Sequence, residues 1–155
     1  MATRSTIAIA REDGSVAQVY CHWDGYLENN GVLLVNHYNT ADKVEELIAG
    51  GDISSLGEIV GVEHPFDTRI AEMAQEEYDR LYGNMTLYYG RDRGETGCGA
   101  RVFADVAEYE KTGDSGMFEE FDYLFIDGRW YYKSYDGMVR DVERTIVLQA
   151  LKKAA

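Results

Sequence analysis

The residue types best able to do chemistry lie together in Tyr20-Cys21-His22-Trp23-Asp24-Gly25-Tyr26, where a strand should end and a helix begin. His22 and Asp24 are two apart and share a face if the strand continues. A carboxylate beside an imidazole orients it and raises its pKa, as a general base requires. The competing reading is structural: Asp24-Gly25 is a good turn, and His22 can hydrogen-bond across a sheet. Cys21 shares a face with Val19, the pattern of a small buried thiol and not of a nucleophile. Cys21, His22, His37 and Cys98 are ligand types that zinc prefers, but they lack the short paired spacing that presents two ligands at once, so no metal is expected. A second locus is Arg91-Asp92-Arg93-Gly94-Glu95. There Arg91 and Arg93, with glycine N-H groups, can bind an anion, although the loop lacks phosphate-loop spacing and its alternating charges can satisfy one another. No cofactor is implied, and the balance falls against an enzyme.

The elements that position these residues follow from pattern. Thr6 to Ala10 and Val16 to Tyr20 flank Asp13-Gly14, and Phe121 to Ile126 and Arg129 to Tyr135 flank Asp127-Gly128, so a β-hairpin is expected near each end of the chain. Strands are placed at 5 to 11 and 16 to 23. Asn29-Asn30-Gly31 should start a short buried helix through Val32, Leu33, Val35 and Tyr38. Asn39-Thr40 should cap a helix carrying Val44, Leu47 and Ile48, stopped by Gly50-Gly51. Asp67 should cap a helix in which Ile70, Met73, Ala74, Tyr78 and Leu81 form one apolar stripe and Glu72, Glu76 and Asp79 point away. Ile53 to Val62 is ambiguous, loop with a short strand. Met85 to Tyr89 and 101 to 103 read as strands, Ala104 to Lys111 as a short helix, and Met138 to about Lys153 as a closing helix. Two hairpins, a further strand and several helices without regular alternation predict a single α+β domain over 1–155 with an antiparallel sheet.

A chain of 155 residues with 45% hydrophobic and 28% charged residues has the composition of one globular core. No run approaches a membrane span and the first residues lack the apolar core of a secretory signal, so a cytoplasmic protein with both cysteines as thiols is expected. The net charge is -13, and from Glu12 to Glu77 there are 14 acidic residues against two basic ones, Lys43 and Arg69. Such a field repels nucleic acid and anionic lipid and attracts basic surfaces. Tyr88, Tyr89, Tyr131, Tyr132 and Tyr135 read as sheet residues and not as base-stacking platforms.

Thr3-Arg4-Ser5-Thr6-Ile7-Ala8-Ile9, Asp13-Gly14, Val19 to Tyr26, Leu33-Leu34 and His37-Tyr38 resemble a set of small uncharacterised tailed-phage and prophage proteins. The likeness continues through Gly51 to Gly57, Tyr88 to Glu95, Tyr123-Leu124-Phe125 and Trp130-Tyr131; the acidic helical piece around 62–82 reads as an elaboration of this member. The resemblance implies genetic context and brings no activity with it. Joined to the charge, it leads to a phage-encoded accessory protein, in the cytoplasm of an infected bacterium, that inhibits a host defence or nucleic-acid-processing machine in the anti-CRISPR or anti-restriction manner. Its contact residues would be Asp42, Glu45, Glu46, Glu72, Glu76 and Asp79, set against a host protein's basic nucleic-acid-binding surface, with no direct nucleic-acid binding. The alternative is a nucleotide-binding protein or small hydrolase using His22, Asp24 and the 90–97 loop. A homo-oligomer is a third reading.

Overall fold

The computed structural model describes residues 2–64 and 73–154. β1 (Ser5–Ala10) and β2 (Val16–Cys21) form the first hairpin, closed where the Asp13 carboxylate accepts the Ser15 N-H at 2.8 Å. A five-residue π-helical turn, Leu27–Gly31, then leads into α1 (Val32–His37). Asn30 lies inside this turn instead of capping a helix: it is buried, and its amide donates to Ser5 Oγ at 3.3 Å and Cys21 Sγ at 3.4 Å. α2 (Ala41–Ala49) is capped as expected, with Thr40 Oγ1 accepting the Lys43 N-H.

β3 (Ile53–Ser55) is the short strand of the ambiguous segment. α3 (Gln75–Tyr82) starts later than its apolar spacing suggested: Ala74 is extended, with φ -62° and ψ 143°, and Met73 is not helical. Asp67, Ile70 and Glu72 lie outside the described residues. No residue of α3 is buried, and Leu81 is 41% exposed, so the stripe read from the sequence does not enter the core. Instead Tyr78 and Tyr82 pack their rings on His64, at 5.7 and 5.0 Å between centroids.

β4 (Leu87–Tyr88), β5 (Arg101–Phe103) and α4 (Val106–Thr112) follow, with Asp105 capping α4 through the Glu108 N-H at 2.8 Å. β6 (Phe121–Ile126) and β7 (Arg129–Lys133) are joined by Asp127-Gly128 alone, at φ 47° and 82°. Two successive left-handed residues give the turn whose twist suits a hairpin. Residues expected to begin the last helix instead form β8 (Val139–Asp141) against β7, because Asp141 accepts the Arg144 N-H at 2.8 Å and so starts α5 (Val142–Ala154) one residue beyond it.

The eight strands form one sheet in the order β4-β3-β2-β1-β6-β7-β8, with β5 sharing the outer edge of β2. The α+β domain and both hairpins are as expected, but the sheet is mixed and not wholly antiparallel. Each hairpin turns its first strand inward, and these two strands run the same way, so the β1/β6 seam is parallel from Ser5 opposite Phe121 to Ile9 opposite Phe125. β3 also runs parallel to the end of β2.

Alternation sorts the strands into two faces. On the first, Ile7, Val19, Cys21, Tyr123, Phe125 and Trp130 pack against α1, α2 and α5 through Leu34, Val44, Leu47, Ile48 and Val142. Each buried apolar side chain of this size contributes about 1.5–3 kcal/mol. The buried rings also find partners for their polar tips: Trp130 Nε1 donates to Tyr38 O at 2.8 Å, Tyr123 Oη to Gly25 O at 2.7 Å and Tyr88 Oη to Leu47 O at 2.6 Å. On the second face Ala8, Val16, Phe103 and Tyr109 make a smaller cluster under α4. The other end of that face is open, and it carries the polar residues described next.

Candidate functional site

Strand register sets the open face in two rows. Ser54, His22, Arg4 and Glu120 are neighbours across β3, β2, β1 and the start of β6, since Cys21 pairs with both Ile53 and Ser5, and Ser5 pairs with Phe121. One step along, Tyr20, Thr6, Asp122 and Lys133 stand side by side. His22 is half-buried, and its Nδ1 lies 2.8 Å from the Tyr20 hydroxyl. Asp24 is exposed, in the left-handed region at φ 55°, and Asn29 Nδ2 donates to its backbone oxygen. The group on the His22 imidazole is therefore a phenol two residues back, and Asp24 forms the turn.

Partial burial, then the positive charges of Arg4 and Arg93, hold His22 below the usual histidine range. Burial pushes Tyr20 up to about 12. The phenol and Nδ1 share one hydrogen bond whose direction follows the imidazole tautomer, and Nε2 is the ring nitrogen that this bond leaves unused. Cys21 is fully buried and pushed up to about 11 by that burial, so it is a core thiol. Cys98 is partly exposed, with its thiol donating to Thr96 O. Among the described residues no group of His, Cys, Asp and Glu is placed to hold a metal ion.

The two arginines of the 90–97 loop differ in kind. Arg91 Nε and Nη2 donate to the two Asp92 oxygens at 3.0 and 3.1 Å; Nη1 donates to Val60 O and Gly61 O, and Nη2 also to Thr86 O. All five of its N-H donors are thus used. Asp92, its side chain wholly buried, also accepts the backbone N-H groups of His64 and Tyr88 at 2.7 Å each. Arg91 is a structural clip with nothing left for an anion. Arg93 is exposed and, among the described residues, makes one side-chain bond, to Ser54 Oγ at 3.3 Å, over the Tyr89 ring.

Of the acidic residues singled out, Asp42, Glu46, Glu76 and Asp79 are exposed. Glu45 is half-buried and held by Arg11 through two bonds at 2.8 and 3.1 Å, which takes it out of the free surface. Glu72 is outside the described residues. Glu58, Glu63 and Glu77, which the sequence reading passed over, are exposed too. Tyr38, raised mainly by burial, is raised further by both Glu46 and Glu58, so α2 and the segment after β3 present carboxylates beside one phenol. α3 is tied to the same segment by His64 Nε2 near Tyr78 Oη at 2.9 Å, and Thr86, beyond the end of α3, donates its N-H to Ile59 O at 2.8 Å. Among the described residues, Arg11–Glu45 is the only ion pair made by a carboxylate between Glu12 and Glu77.

The sequence reading missed a cleft of about 830 Å³ on the open face, walled by Arg4, Tyr109, Phe118, Glu119, Asp122 and Lys133. Burial holds Asp122 above the usual carboxylate range, against a 2.6 Å bond from the Thr6 hydroxyl, and its hydrogen bond with Glu119 adds to the rise. The Glu119 carboxylate accepts the Ser115 N-H at 2.8 Å and the Ser115 hydroxyl. Phe118, at φ 60° and 86% exposed, stands at the rim. The one signal in the chain was a charged residue within Phe121-Asp122-Tyr123-Leu124-Phe125, and only the register shows that it faces Thr6 and Lys133.

Compared with known protein families, curated proteins and solved structures, the chain matches none. No described helix is long and apolar enough to cross a membrane.

Proposed function

We propose that the protein acts by protein–protein contact, as a phage-encoded accessory protein in the cytoplasm of an infected bacterium that occupies the basic nucleic-acid-binding surface of a host defence or nucleic-acid-processing machine. The observation that carries this reading is the lack of neutralisation. Asp42, Glu46, Glu58, Glu63, Glu76, Glu77 and Asp79 stand exposed on α2, the segment after β3, and α3, with no ion pair among the described residues, while Glu45 alone of the acidic half is matched. The basic residues pair elsewhere, as in Arg129–Asp141 and Arg140–Asp136. A carboxylate surface left unpaired keeps its field for a partner, speeding encounter with a positive groove and excluding anionic ligands from it.

The test is affinity capture from nuclease-treated host lysate at low and high salt, with the bound protein identified by mass spectrometry. The reading expects one stoichiometric nucleic-acid-binding partner whose retention falls steeply with salt. A partner held equally at both salts refutes the mimicry.

A further inference from the structure

Counting donors separates the arginines. Arg91 uses all five of its N-H groups. Arg4 uses one, Nη1 to Met117 O at 3.1 Å, and its Nε is buried with no acceptor. Of the half-buried arginines Arg4, Arg11, Arg91 and Arg140, only Arg4 has no carboxylate partner among the described residues. Arg93 also lacks one, its single bond going to Ser54 Oγ. The exposed Arg80, Arg101 and Arg144 make no ion pair among the described residues either, so what needs an explanation in a chain of charge -13 is the half-buried Arg4 guanidinium without a carboxylate. Glu120, the nearest in the row, is engaged with the Tyr135 hydroxyl. A buried guanidinium N-H left unpaired is costly unless an acceptor arrives.

The two arginines flank His22. Ser54, which holds Arg93, and Arg4 are its neighbours on either side in the row, and the positive charges of both arginines act on the imidazole. Because Tyr20 occupies Nδ1, Nε2 is the ring nitrogen of His22 left for a third contact, a donor in the imidazolium or in the Nε2-H tautomer. Two of the groups here are charged forks. Trp23 stands beside them, 44% exposed, its ring edge-on to His22 at 4.7 Å.

We propose that Arg4, Arg93 and Nε2 of His22 form a binding site for the phosphate monoester group of a small molecule, whose organic part lies on the exposed Trp23 indole. Guanidinium forks match phosphate oxygens in pairs, and a tetrahedral dianion supplies the several acceptors that these donors require. The site is separate from the acidic surface and does not depend on the function proposed above.

The experiment follows the ring signals of His22 and the indole signal of Trp23 by NMR during titration with sodium phosphate, adenosine 5′-monophosphate, sodium chloride and a short DNA duplex at fixed ionic strength. Expected are saturable shifts with both phosphate probes, tighter with the nucleotide, and an upward shift of the His22 titration when bound. That shift is read against Arg4 on β1, Arg93 on the 90–97 loop, Tyr20 on β2 and Ser54 on β3. Arg4→Gln and Arg93→Gln should each weaken binding tenfold or more, and Arg140→Gln should not. Should Arg4→Gln not fold, the exposed Arg93 decides the matter. Shifts no larger than with chloride, affinity unchanged by Arg93→Gln, or response to the duplex alone would each overturn the proposal. A nucleotide no tighter than phosphate would overturn the role of Trp23.

Discussion

Asp92→Ala should destabilise the fold where the 90–97 loop meets His64 and Tyr88, and the size of the effect follows from its partners. The wild-type carboxylate is wholly buried, pairs with two nitrogens of Arg91 and accepts two backbone N-H groups, from His64 and Tyr88. Removing one member of a buried ion pair leaves its partner charge uncompensated, at a cost of about 3–5 kcal/mol. In a domain of this size each kcal/mol lowers Tm by roughly 2–4 °C, so a fall of about 10 °C is expected by scanning calorimetry or thermal circular dichroism. The pH dependence has a definite sign. Burial raises the Asp92 carboxyl, but the bonds from Arg91, Tyr88 and His64 prevail and hold it below the ordinary value. Its contribution is therefore full above the unfolded carboxylate range near 4 and is lost as pH falls through the lower folded value. Asp92→Ala should lose this acid-side slope. Arg91→Gln should likewise lower stability while leaving phosphate affinity unchanged. A loss below about 1 kcal/mol on Asp92→Ala would refute the clip and return Arg91 to the list of anion ligands.

Two further outcomes are expected. A thiol reagent at neutral pH should modify Cys98 slowly, since its thiol is raised above the ordinary value, and leave Cys21 unmodified until the protein unfolds; two thiols reacting at one rate in the native protein would contradict the burial of Cys21. Asp122, raised in the folded state, stays protonated there after the unfolded chain has ionised, so its contribution is full below the unfolded range near 4 and fades as pH rises through the raised value. Asp122→Asn should therefore gain on wild type in urea melts between pH 4.5 and 7.5, by roughly 1 kcal/mol, and a parallel pH profile would contradict the buried carboxyl pair.

Local chemistry was legible in the sequence where it acts over few residues. Asp127-Gly128 fixes its own turn, Thr40 its own cap, and the Ile7, Val19 and Phe125 alternation its own face. What the sequence hid depends on register between distant strands. Arg4, His22 and Ser54 meet only because β1, β2 and β3 are neighbours, and Asp122 meets Thr6 only through the parallel β1/β6 seam. Arg91 looked like an anion ligand because its five acceptors are oxygens of four residues, Val60, Gly61, Thr86 and Asp92, whose direction no spacing reveals. β8 replaced the start of the last helix because an edge of β7 was open to Val139–Asp141, a tertiary advantage that helical spacing does not carry.

The central claim, that the acidic surface competes for a basic groove, is tested most directly by competition on the captured host partner. Its own nucleic acid, the wild-type protein and a Glu46→Lys, Glu76→Lys, Asp79→Lys variant are titrated against one another at two salt concentrations. Mutual exclusion with nucleic acid, weakened by salt and by roughly tenfold or more in the variant, is the result predicted. Simultaneous binding of both, or a variant that binds as tightly as wild type, would contradict it.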